Sequence, residues 1–439
     1  MTMTPKDKPQ GFNTRAIHAG YSAEATTGAC QVPIYQTSAF QFENAQDAAD
    51  KFALKKFGNV YSRLTNPTNS VLEARLASLE GGTGATVTAS GHAAQMVALA
   101  ALMRPGDHFV ASHRLYGGTI NQFKNTFPTS FGWQCSLVDI DDPENVRKAI
   151  LPNTKAVYLE SLSNPMGVIA DMEAIAKIAH EAGIPLIVDN TMATPYLCRP
   201  FEWGADIVLY STTKFLSGTG STVGGAIIEG GKFNWAASDK FPALTEADPS
   251  YNGLNFYETF GDMAFTVHGH GIGLRDLGPT QSPFHSFLTL LSLETLGLRM
   301  QRHCDNALEV AQHLKSHPDV SWVSYSGLPE SKYAALAKKY LSHGAGAVFT
   351  FGIKGGFEAA KTFVSSMKLF AHVANIGDAR SLVIHPASTT HSQLSEEHRV
   401  RAGASPEMVR LSIGLEDVAD IIADIDQALA QAKGMSKAA

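Results

Sequence analysis

From Val71 to about Gly230, short apolar runs alternate with amphipathic stretches, and this alternation leaves few architectures open. The runs are ATVTA, DHFVAS, CSLVDI, TKAVYLES, IPLIVDN, ADIVLYS and GGAIIEG. Most lack the polar–apolar alternation of a half-exposed strand, so they read as strands buried on both faces. Between them lie helical patterns. VLEARLASLEGG puts Val71, Leu72, Leu76 and Leu79 on one face and stops at Gly81. SGHAAQMVALAALM opens on Ser-Gly, and DMEAIAKIAHEAG is capped by Asp171 and stopped by Gly183. Strands that alternate with helices predict an α/β fold with a mostly parallel seven-stranded sheet covered on both faces.

The flanks differ. Residues 1–70 are rich in Gly, Pro, Ser, Thr and Asn and predict an extended arm, with a short helix near Ala45–Phe57, held by a neighbouring subunit. Residues 71–283 form the α/β domain, whose last fifty residues read as a long irregular segment. Residues 284–439 predict a smaller α+β domain. There, SFLTLLSLETLGLRMQRHCDNALEVAQHLKSH is one long helix or a broken pair, WVSYSG and AVFTFGI are strands, and DVADIIADIDQALAQA is a final helix ending before Gly434.

Composition removes whole classes of function. With 35 Lys+Arg against 41 Asp+Glu, the net charge of −6 is not that of a general nucleic-acid or anionic-membrane binder. The cysteines, Cys30, Cys135, Cys198 and Cys304, are far apart and suggest neither a disulfide framework nor a zinc ribbon. The apolar stretch Thr83–Met103 is broken by His92, Gln95 and several Gly and Thr, so it reads as strand, turn and buried helix. The opening MTMTPKDKPQ has no apolar signal core. A soluble, cytoplasmic protein without nucleic-acid or membrane partners is expected.

Chemistry concentrates at strand ends. Asp189 closes the run IPLIVDN, and Lys214 follows ADIVLYS. In an open α/β sheet, ligands bind at the carboxyl ends of strands. An acid and an amine there suit pyridoxal phosphate, whose aldehyde needs a lysine and whose ring nitrogen needs an acid. Alone, the pair reads as readily as a capping carboxylate and a solvated amine. Ser90-Gly91-His92 at a helix start offers amides to a phosphate, and Ser211 and Thr213 offer hydroxyls. Arg63 and Arg410 suit a phosphate or a carboxylate. Tyr61 and Tyr116 are candidates to lie on a planar cofactor. GTGSTVGG lacks the GK[ST] ending of an NTP-binding loop, and no GxGxxG or HExxH is present. His268 and His270 in VHGHG read as packing or loop histidines, and no metal is expected.

Together, YSTTK, IVDNT, YSRLTNPT, ASGHAAQ, LYGGT and VRLSIGLED resemble the Cys/Met-metabolism family of pyridoxal-phosphate enzymes, from Thr14 to the final helix. The family includes cystathionine synthases and lyases, methionine γ-lyase and O-acetylhomoserine sulfhydrylases. YNGLNFYETFG, LRDLGPTQSPFHSFLTLLSLETLGLRMQRH and GDARSLVIHPASTTHSQLSEE are most similar to the sulfhydrylase branch. The resemblance implies fold type I of the pyridoxal-phosphate-dependent transferases (aspartate-aminotransferase-like). It implies γ-replacement on O-acetyl-L-homoserine by sulfide or methanethiol, giving homocysteine for methionine biosynthesis. Cystathionine γ-synthase or methionine γ-lyase activity is the alternative, and a non-catalytic scaffold a remote one. It implies that Lys214 holds the cofactor covalently, Asp189 pairs with the ring nitrogen and Tyr116 stacks on the ring. Gly91, His92, Ser211 and Thr213 would hold the phosphate. Tyr61 and Arg63 would reach a neighbouring subunit's phosphate, within a tetramer built as a dimer of dimers. Asn164, Ser381, Arg410 and Tyr61 would face the substrate. The sequence departs from the family's common residues at Thr212, often Ala, and at His92, often Met or Gln; position 212 is expected to point away from the cofactor.

Overall fold

The computed structural model describes residues 10–389 and 404–436. The last part of GDARSLVIHPASTTHSQLSEE therefore lies outside the described residues. The larger sheet contains β1 Gly84–Thr88, β2 His108–Ser112, β3 Gln134–Val138, β4 Thr154–Glu160, β5 Leu186–Asp189, β6 Ile207–Tyr210 and β7 Gly225–Glu229. Its order is β1-β7-β6-β5-β4-β2-β3. The strands from β3 to β6 are parallel to their neighbours, whereas β7 is antiparallel to both β6 and β1. The cause is the connection. A parallel pair needs a crossover, usually a helix. The segment between β6 and β7, which carries Lys214, forms only turns and returns antiparallel.

Local signals set the helices. Asn66 caps the helix Pro67–Glu80, its side chain accepting the Thr68 amide at 3.0 Å, and Pro67 takes the first turn. The helix thus begins a turn before Val71, so the last residues of the arm are already part of the body. It ends at Gly81, whose φ of +84° suits a residue without Cβ. Ser90 and Asp171 cap Gly91–Leu102 and Met172–Glu181 through the Ala93 and Ala174 amides.

The second sheet contains β8 Val320–Ser324, β9 Val348–Ile353, β10 Ala371–His372, β11 Leu382–Ile384 and β12 Met408–Ser412, in the order β10-β11-β12-β9-β8. The expected long helix is a broken pair, Pro283–Leu293 and Leu296–Ser316. The final helix, Val418–Ser436, continues through Gly434 instead of stopping before it. The segment expected to be irregular folds into short helices, including Phe256–Phe260 and Ala264–His268, followed by a wider π-helix, Gly269–Leu277. One hydrophobic core runs through both sheets, from Val188 and Leu209 to Phe349, Phe351 and Ile425. Among the described residues, no helix is long and apolar enough to cross a membrane.

His270, in that π-helix, fastens the arm. Its Nδ1 faces the Leu64 carbonyl at 2.8 Å, and its Nε2 faces the Glu73 carboxylate and the Ala85 carbonyl, both at 3.3 Å. Both ring nitrogens meet acceptors, which only the imidazolium satisfies. Burial pulls the His270 pKa down, but the Glu73 charge and these hydrogen bonds override it and raise the pKa to about 9. A folded pKa above the ordinary 6.5 means that the contact stabilises fully below about pH 6.5 and is lost as pH rises through about 9. Replacing His270→Gln should lower Tm by about 2 °C near neutrality. The gap to wild type should close above about pH 9. Thermal melts across that range check this, and a gap that persists unchanged would mean a neutral His270.

Candidate active site

The carboxyl ends of β4, β5 and β6 converge on a cavity of about 360 Å³. Asp189 ends β5 and faces it; Lys214 comes from the turn after β6. Gly91, His92, Tyr116, Asn164, Ser211, Thr213 and Arg410 also line it.

Asp189 is held by a relay of donors. The Thr191 amide donates to Oδ1 at 3.0 Å and the Tyr158 hydroxyl to Oδ2 at 3.3 Å. Gln95 Nε2 donates to the Tyr158 hydroxyl at 2.9 Å and to Thr119 Oγ1 at 3.0 Å. Burial raises the Asp189 pKa, against the lowering effect of the bonds from Thr191 and Tyr158. No cationic side chain is paired with it among the described residues, so a cation at this end of the cavity would hold it ionised.

Opposite lies an anion cradle. Ser90 Oγ accepts the Ala93 amide at 3.1 Å, leaving the Gly91 and His92 amides at the open end of the helix. A Cβ on residue 91 would lie 2.8 Å from Ser211 Cβ, so glycine lets the helix end meet the Ser211 turn. Thr191 Oγ1 accepts the Ser211 amide at 2.8 Å, and Thr213 Oγ1 accepts the Gly224 amide at 3.1 Å. Thr212 is fully buried and does not line the cavity. His92 lies 5.9 Å from the Tyr116 ring, and burial lowers its pKa, so its imidazole adds no charge at neutral pH.

The third side comes from the second sheet. Lys214 Nζ donates to Asn375 Oδ1 at 2.6 Å. Burial, then the Arg410 charge, lowers the Lys214 pKa, which favours the nucleophilic amine. Arg410, on β12, donates to Asn164 Oδ1 at 3.2 Å and to the Asn375 carbonyl at 3.0 Å. Burial pulls its pKa down to about 10, which leaves it cationic at neutral pH.

Three of the expected residues do not line this cavity. Ser381 is fully buried. Its amide and hydroxyl donate to Glu416 at 2.7 and 2.9 Å, and its hydroxyl accepts the Gly414 amide at 2.9 Å. These bonds occupy it in bracing the backbone beside β12, and Asn375 faces the cavity in its stead. Tyr61 and Arg63 are exposed, with the Arg63 guanidinium 5.5 Å from the Tyr61 ring, and neither lines the cavity of its own chain.

Glu160, Gln95, Thr191 and Asn375 line the cavity without having been anticipated. Two carried a signal. Glu160 ends a buried apolar run as Asp189 does, and Gln95 lies one helical turn beyond Gly91. Nothing local marks Asn375, which arrives by the packing of the second sheet.

The donor set fits pyridoxal phosphate: an amine for the aldehyde, a helix end with hydroxyls for the phosphate and a half-buried acid for the ring nitrogen. Gln95 Oε1, buried and without a hydrogen-bond partner, marks further unused polarity at this wall.

Known proteins share this chain's sequence and fold. O-acetyl-L-homoserine sulfhydrylase of Leptospira meyeri is 49% identical, covering 96% of this chain and 97% of its own. O-acetyl-L-homoserine sulfhydrylase 1 of Thermus thermophilus is 50% identical, covering 95% and 100%. A crystal structure from Campylobacter jejuni, described as an O-acetylhomoserine (thiol)-lyase with N'-pyridoxyl-lysine-5'-monophosphate, superposes with a TM-score of 0.93 at 43% identity, covering 96% of this chain and 100% of that one. With a family model matched over residues 13–430, the chain belongs to the Cys/Met metabolism family of PLP-dependent enzymes.

Proposed function

We propose that this enzyme exchanges the acetate of O-acetyl-L-homoserine for the sulfur of sulfide, giving L-homocysteine and acetate. The observation that carries the reading is the Lys214 amine, held by Asn375 within a cavity that also receives Asp189 and Arg410. The names of the two sulfhydrylase relatives support the choice of substrate.

Pyridoxal phosphate, when bound, supplies the electron sink that lets the Cα–H and Cγ–O bonds break. The protein does the rest. Gly91, His92, Ser211 and Thr213 hold the phosphate, and Asp189 keeps a proton on the ring nitrogen. Tyr116 covers the ring. Arg410 and Asn164 take the substrate carboxylate, the guanidinium forming the bidentate contact. Lys214 Nζ removes the α-proton, then a β-proton whose electron pair expels the group at Cγ, and returns both once the C–S bond has formed. Acetate leaves with the C–O electron pair, and sulfide supplies the new pair at Cγ.

The working unit is a homo-oligomer, a tetramer of two dimers, in which Tyr61 and Arg63 of one subunit reach the phosphate of the next. Their exposure outside their own cavity supports this. The division into an arm at 1–70, a cofactor domain at 71–283 and a C-terminal domain at 284–439 is part of the same proposal, supported by the two sheets.

Mass spectrometry of the products formed from O-acetyl-L-homoserine, with sulfide and cysteine both present, tests the reaction. Homocysteine should dominate with the wild type, and Lys214→Ala should form none. Dominant cystathionine, or 2-oxobutyrate, would replace the proposal with a synthase or a lyase. Arg410→Lys, which loses the planar fork, should raise KM for O-acetyl-L-homoserine about tenfold. An unaltered KM would make Arg410 structural. Arg63→Ala should weaken cofactor retention about tenfold, read by equilibrium dialysis. Unchanged retention would remove Arg63 from the phosphate site.

A further inference from the structure

The carboxyl of Glu160 is buried at the end of β4, in register with Asp189 on β5. Its two oxygens bind amides of two separate loops. Oε1 accepts the Tyr116 amide at 2.7 Å, and Oε2 accepts the Asn164 amide at 3.1 Å. Tyr116 leads into the short helix Gly117–Asn121, and its half-exposed side chain faces the cavity. Asn164 lies in a turn that closes on itself, Ser163 accepting the Gly167 amide through its carbonyl at 2.9 Å and the Val168 amide through its hydroxyl at 3.0 Å. The Glu160 carboxyl ties that turn to the Tyr116 loop.

We infer that Glu160 is a positioning residue for this reaction, one carboxyl that fixes the Tyr116 ring over the cofactor and Asn164 against the substrate carboxylate at the same time. The inference rests on the proposed reading of this cavity. The residue type is specific to the task. Both targets are N–H donors, and only a carboxyl with two free acceptor oxygens satisfies both. A glutamine of the same shape would turn its amide group towards one of them and leave a buried N–H unpaired. Burial, then the nearby Asp189, raises the Glu160 pKa to about 8, and the two amides are what hold a carboxyl at this depth.

The test compares the wild-type holoenzyme with Glu160→Gln in two ways. One is visible circular dichroism of the bound cofactor without substrate, which reads the stacked ring. The other is steady-state kinetics with O-acetyl-L-homoserine. The expected result is an altered dichroic band together with a KM raised about tenfold. In an Asn164→Ala background, the KM effect of Glu160→Gln should fall below about threefold, because both changes act through one contact. A lowered Tm with dichroism and KM unchanged would overturn the inference and leave Glu160 a purely structural residue. Fully additive KM effects would overturn it as well. Should the glutamine variant fail to fold, Glu160→Asp, which keeps the carboxyl but shortens its reach, must show the same two changes. A wild type that binds cofactor but does not turn over O-acetyl-L-homoserine would sink the proposed reaction instead, and the dichroism would still test the Tyr116 half of the clamp.

Discussion

A carboxylate set deep in a cavity with no cation beside it is unfavourable, and the site is arranged around holding one. Asp189 projects from the end of β5, behind which Leu186, Ile187 and Val188 are fully buried. The Thr191 amide and the Tyr158 hydroxyl take part of its charge, and Gln95 orients that hydroxyl. These donors make the charge tolerable without neutralising it, and so leave a preference for a cationic ring at this point. A parallel strand beside β5 brings Glu160 to the same level, but its charge is disfavoured there, so the demand for positive charge falls on Asp189.

The second sheet answers part of that demand. Arg410 reaches the cavity from β12, and Asn375 comes from the segment between β10 and β11. The bond from Lys214 to Asn375, and those from Arg410 to Asn164 and Asn375, stitch the strand ends of one sheet to the other sheet. The same arginine that suits a carboxylate also helps to lower the Lys214 pKa. In the proposed reading, substrate recognition and nucleophile activation share one charge.

The larger sheet was legible because its strands are continuous apolar runs with glycine or polar stops between them. The cradle was legible because phosphate and aldehyde chemistry call for particular residue types at strand and helix ends. What escaped has physical reasons. β10 and β11 span only two and three residues, too short to show a period, and β12 was noticed for its arginine alone. The antiparallel direction of β7 depends on the absence of a crossover helix, which an apolar run does not encode. Ser381 was assigned to the substrate by resemblance, whereas the proximity of Glu416 and Gly414 claims its hydrogen bonds. Asn375 had no local mark at all, since its role comes from a contact between sheets.

The shared core has a further consequence. Apolar residues of both sheets belong to one continuous cluster, from Val188 and Leu209 to Phe349 and Ile425. Neither half can open without exposing that cluster, so the two walls of the cavity belong to one cooperative unit. The cavity then keeps its shape until the whole unit melts. On heating, release of the cofactor should track global unfolding, and the colour of the protein becomes a thermometer for the fold itself.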